Sequence, residues 1–133
     1  MLLAKIIRTL SEEEIDRVRQ EFKLTARPRM LYERIAKSPG SPPKSKEVCK
    51  ELKITEENLY RIYSEITSEC IRILAPKGEF STLEFYRSKY LYRPFLTELR
   101  RIEKITIRKK NKQALESLYQ YAFINSANFP CRN

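Results

Sequence analysis

Arg93, Arg100, Lys104 and Arg108 are separated by seven, four and four residues. On one α-helix that spacing brings four cations onto a single face, with Arg101 about a quarter-turn round. The chemistry open to such a row is to hold phosphates, lysine as a point charge and arginine as a planar fork that grips two oxygens. Binding of that kind releases condensed counterions and weakens steeply with salt. Tyr86, Tyr90 and Tyr92 interleave with the cations just upstream, and rings beside a basic track are stacking surfaces for unpaired bases. The same residues also fit a solvated basic face whose tyrosines are half-buried in a core.

The positive charge is unevenly spread. The chain of 133 residues has a net charge of +10. Residues 1–45 carry ten cations and six anions, residues 46–75 five and six, and residues 76–133 twelve and five. The excess therefore sits in the C-terminal segment, where Arg87, Lys89, Lys109, Lys110 and Lys112 join the row.

Other chemistries are excluded or disfavoured by composition. No histidine is present, so Ser-His-Asp and Cys-His nucleophile systems and the usual histidine-bearing zinc sites cannot be built. Cys49, Cys70 and Cys131 are far apart and form no CxxC pair. Cys49 and Cys70 fall on expected apolar faces, where a reduced thiol acts as a small hydrophobe, a pattern suited to a reducing cytoplasm. Only Gly40 and Gly78 are glycines, too few for a glycine-rich phosphate loop. The acidic residues fall in capping boxes and on exposed helix faces, so the expectation is a non-catalytic protein with no metal and no cofactor. The first ten residues, MLLAKIIRTL, are interrupted by Lys5 and Arg8 and lack a cleavage signal. No apolar run approaches the ~18 residues of a membrane span, so a soluble, cytoplasmic protein is expected.

The elements that position the basic row are read from periodicity. Ser11 and Glu14 form a capping box that opens a helix carrying Ile15, Val18 and Phe22, ending near Lys23 to Thr25. Pro28 stands in the first turn of the next, with Leu31 and Ile35 inward. SPGSPPKS, residues 38–45, is a linker or loop. Leu59, Ile62, Tyr63, Ile66, Cys70, Ile73 and Leu74 form one apolar stripe on a helix of about 19 residues, the expected central core helix. Ser81 and Glu84 read as a second capping box. Arg93-Pro94 breaks that helix, and Phe95, Leu99 and Ile102 restart the period. Leu115, Leu118, Tyr119, Ala122 and Phe123 mark a last apolar stripe, so residues 94–124 read as an αα-hairpin or one long bent helix.

Residues 44–66 resemble the helix-turn-helix superfamily. Val48, Cys49 and Leu52 pack the first helix, Ile54 plugs the turn, Thr55 caps the second helix, and Leu59, Ile62 and Ile66 continue its buried face. The turn position usually held by glycine is Lys53, which must then adopt the left-handed conformation at a cost of about 1 kcal/mol. The resemblance implies base contacts from Asn58 and Arg61 on the second helix. Glu56 and Glu57 would face phosphates there, so the unit equally serves as a scaffold. The C-terminal pair is loosely similar to a tetratricopeptide-like helical pair, without that repeat's signature residues.

The expected fold is all-α, with five or six helices in a bundle. Residues 1–75 form a helical core with the helix-turn-helix-like unit, residues 76–125 the basic C-terminal helices, and residues 126–133 a tail. The expected function is nucleic-acid association, to DNA or RNA, with phosphates held by Arg93, Arg100, Arg101, Lys104 and Arg108. The alternative is a protein-interaction module, the N-terminal part of a larger helical-repeat protein.

Overall fold

Leu59, Ile66 and Cys70 recur at helical spacing and are fully buried on the 19-residue helix Glu56–Leu74. The computed structural model describes residues 1–126, and among these it contains eight α-helices and no strand. They are α1 Leu2–Arg8, α2 Glu12–Glu21, α3 Ala26–Lys37, α4 Ser45–Leu52, α5 Glu56–Leu74, α6 Ser81–Ser88, α7 Tyr92–Arg108 and α8 Lys112–Ser126. The all-α expectation holds, but eight helices replace the five or six expected. The chain divides at Ala75–Pro76 into two units.

In the first unit α1, α2, α3 and α4 each pack on α5. α1 is the helix that sequence reading missed. Lys5 and Arg8, which interrupt its hydropathy, face solvent, while Leu3, Ala4, Ile6 and Ile7 are buried. Ser11 caps α2 as expected: its hydroxyl accepts the Glu14 N–H at 3.1 Å, and the Glu14 carboxylate accepts the Ser11 N–H at 3.0 Å. α2 stops at Glu21, earlier than expected, because Phe22 is extended and buried. There Glu69 of α5, itself buried, accepts the Lys23 N–H at 2.5 Å and a hydrogen bond from Arg72 at 2.8 Å. Arg72 in turn donates to the Glu21 carbonyl at 3.0 Å. The pair thus fastens the end of α2 to the core helix.

In the second unit α7 packs against both α6 and α8. Leu83, Phe95 and Leu118 are fully buried, and the Tyr121 ring lies 4.6 Å from Phe80 and 6.3 Å from Phe95 between centroids. The expected capping box at Ser81 does not form. Ser81 is the first helical residue, Phe80 is the cap, and no side chain caps it. Glu84 instead accepts from Arg87 at 2.8 Å and from the Tyr121 hydroxyl, tying α6 to α8. A carboxylate with an arginine and a phenol in reach gains more from them than from one exposed backbone N–H. The tail expected from residue 126 lies largely outside the described residues, as does Cys131, and α8 itself reaches Ser126.

Three helix ends share one construction. Lys53, Tyr90 and Lys110 all adopt positive φ, at 57°, 56° and 54°. Behind each, a six-residue backbone hydrogen bond closes the turn: Ile54 N–H to Cys49 at 3.1 Å, Leu91 N–H to Tyr86 at 2.9 Å, and Asn111 N–H to Thr106 at 3.4 Å. These are Schellman-type ends, where glycine is favoured because it has no Cβ to strain. Lys53 takes the left-handed conformation expected of the α4–α5 turn.

Candidate nucleic-acid interface

α7 is held by one side. At ~100° per residue, Phe95, Leu99, Ile102 and Thr106 fall on one face. Phe95 and Thr106 are buried there, and Leu99 and Ile102 half-buried. Thr106 spends its hydroxyl on the Ile102 carbonyl at 2.7 Å, which lets a polar β-branched residue sit in that face. Arg93, Arg100, Lys104 and Arg108 lie about half a turn away, and all four are exposed.

The two carboxylates of α7 are drawn off this row. Glu98 accepts both forked hydrogen bonds of Arg101, at 2.7 and 2.8 Å, and its side chain is only 15% exposed. Glu103 accepts the Tyr119 hydroxyl of α8 at 2.7 Å. Among the described residues, Arg93, Arg100, Lys104 and Arg108 have no ion-pair partner. In the first unit Arg17, Arg19, Arg34, Arg61 and Arg72 each lie within ion-pair distance of a carboxylate, whereas the exposed Arg8, Arg27 and Arg29 do not among the described residues. Arg101 therefore differs from its neighbours: its charge is partly neutralised and its fork occupied. Lys109, Lys110 and Lys112 are exposed where α7 gives way to α8 and extend the basic surface beyond Arg108.

The row is costly to hold. Arg100–Lys104 and Lys104–Arg108 are like-charge neighbours one turn apart, each destabilising by about 0.2–0.5 kcal/mol. A cleft of about 340 Å³ in the same unit is lined by Glu79, Phe80, Glu98, Arg101, Ile102 and Leu118 among others. Its two carboxylates against one cation are the wrong balance for phosphate, and Arg93, Arg100, Lys104 and Arg108 lie outside its lining.

The tyrosines separate. Tyr86 is buried, 7% exposed, and cannot stack on a base, which corrects the reading that grouped all three. Tyr90 and Tyr92 are 60% and 43% exposed. The apolar stripe expected along α8 is also only partly inward: Leu118 is buried, but Tyr119 is 48% and Phe123 86% exposed.

Asn58 and Arg61 are exposed near the start of α5. The Thr55 hydroxyl accepts the Asn58 N–H at 3.2 Å, which spends the cap on the backbone and leaves the Asn58 amide free. Arg61 lies 4.0 Å from Glu65, and Glu56 and Glu57 are exposed just before them. Cys70, buried against α5's neighbours, has its thiol pushed up to about 12 by desolvation, which makes it an inert core group and no nucleophile.

No protein-family model matches the chain, and no curated protein or solved structure is significantly similar to it. No helix among the described residues is long and apolar enough to cross a membrane.

Proposed function

We propose that this chain is a non-catalytic, nucleic-acid-associated module that grips phosphates through α7. The observation that carries the reading is the division of charge on that helix. Arg93, Arg100, Lys104 and Arg108 stand exposed and without carboxylate partners among the described residues, while Glu98 and Glu103 are engaged elsewhere. A surface kept merely soluble gains nothing from suppressing its own salt bridges, whereas a phosphate-binding surface needs the cations free. In this reading α4 and α5 form a scaffold of the helix-turn-helix kind, with Asn58 and Arg61 as secondary base contacts. Support comes from the left-handed Lys53, the buried Val48 and Leu59, and the Thr55 cap. The exposed Glu56 and Glu57 keep that helix from being the main phosphate contact.

Fluorescence anisotropy with labelled oligonucleotides tests the proposal. Changing Arg93, Arg100, Lys104 and Arg108 together to alanine is expected to weaken binding on the order of tenfold or more at low salt. Unfolding of the same variant should show equal or greater stability, since two like-charge contacts are removed. Absence of binding by the unmodified chain at low salt would sink the reading.

One observation favours a protein-interaction module instead. Phe123 and Ile124, at 86% and 64% exposed, present bare apolar surface on the last turns of α8. Size-exclusion with light scattering decides its simplest form. Self-association abolished by Phe123→Ser and Ile124→Ser supports this reading, and a strict monomer counts against it.

A further inference from the structure

Tyr90 occupies the left-handed end position of α6 at φ 56°, where glycine or asparagine is the low-cost choice. A bulky aromatic residue at positive φ is an outlier that costs about 1–2 kcal/mol. Burial does not repay that cost, because the side chain is 60% exposed. Lys53 and Lys110 share the conformation, but a lysine there at least keeps its charge hydrated, whereas the ring of Tyr90 leaves apolar surface in water. Three residues on is Arg93, so the ring stands within about 11 Å of chain from the start of the basic row. Tyr92, the first residue of α7, exposes a second ring between them.

We propose that the α7 row takes single-stranded nucleic acid in preference to duplex, with Tyr90 and Tyr92 stacking unpaired bases where the strand enters the row. This rests on the phosphate-binding reading of α7. A duplex hides the faces of its bases and offers the rings nothing beyond its ends. A single strand offers a face to each ring while its phosphates lie along the cations, and stacking of that kind is indifferent to sequence.

Tyr90→Gly is the informative variant, because glycine relieves the strained φ and a loss of binding then cannot be blamed on a damaged turn. Anisotropy is measured on a single-stranded DNA, the same sequence as RNA, and the DNA duplex, each over a salt series. The unmodified chain should bind one or both single strands more tightly than the duplex, the tighter one identifying the preferred sugar. Tyr90→Gly should lose roughly fivefold to a hundredfold on single strands, with the salt slope and the duplex affinity unchanged. Tyr90→Phe should retain wild-type affinity. Equal binding of single strand and duplex by the unmodified chain, or unchanged single-strand binding by Tyr90→Gly, overturns the inference. The fourfold alanine variant of α7 separates the two levels. If it loses binding while Tyr90→Gly does not, stacking alone is wrong. If it loses none, the phosphate-binding reading falls too.

Discussion

Arg101 is forked onto Glu98, three residues before it on α7, at 2.7 and 2.8 Å. The pair partly neutralises the cation that flanks the basic row and engages one of the two carboxylates of α7. Its spacing is a favourable helical one, although an exposed pair of this kind contributes little to stability. Its importance is to the field of the helix. Glu98→Gln should release Arg101, tighten oligonucleotide binding severalfold and steepen the salt slope by about one. Arg101→Ala should weaken binding less than Arg100→Ala does. Parallel anisotropy titrations of the three variants check this, and an Arg101→Ala defect larger than that of Arg100→Ala would show the fork to be a contact and not a brake.

Glu69 makes the fold sensitive to acid. The Arg72 guanidinium, with help from the Lys23 N–H, holds its carboxyl below the usual range against the opposing effect of burial. A group with a lowered folded value stabilises above its unfolded value of about 4.3, and that stabilisation is lost as the pH falls through the folded value. Glu69→Gln should therefore cost about 1–3 kcal/mol at pH 7 and less near pH 3. Urea unfolding at the two pH values is the check, and an equal cost at both would mean that packing, not charge, is what the residue supplies.

The left-handed lysines should be improvable. Lys53→Gly and Lys110→Gly each remove a strained Cβ at positive φ and should raise stability by about 0.5–1 kcal/mol, after allowance for the extra freedom of glycine in the unfolded chain. Thermal or urea unfolding of the single variants measures it. A loss of stability in both would contradict the assigned turn geometry.

Two serines that look alike in sequence should behave differently. Ser11 makes both halves of a capping box, so Ser11→Ala should cost about 0.5–2 kcal/mol. Ser81 lies inside α6 and caps nothing, so Ser81→Ala should stay within about 0.5 kcal/mol of wild type. Comparable costs for the two would restore the second capping box.

What could be read from residue order follows from the range of each interaction. The apolar stripe of α5, the Ser11 cap and the left-handed Lys53 are local patterns, and the structure has all three. The row Arg93, Arg100, Lys104, Arg108 is also local, because all four residues lie on one helix. The rest needed tertiary partners. Glu84 turns from Ser81 to Tyr121, 37 residues away. Tyr86 and Tyr90 stand four residues apart on or beside an eight-residue helix, and only packing decides that one is buried and the other exposed. α1 escaped notice because seven residues are too few for a clear period. The engagement of Glu98 was latent in its spacing from Arg101, whereas the link from Glu103 to Tyr119 crosses to another helix and left no local trace.

The most direct measurement is the salt slope of oligonucleotide binding for the unmodified chain and for the fourfold Arg93, Arg100, Lys104, Arg108→Ala variant. If α7 holds phosphates with those four cations, log K against log salt should be shallower in the variant by about three on a single strand, at roughly 0.7 per released contact. Identical slopes for the two proteins would contradict the account, because the phosphates would then be held somewhere else.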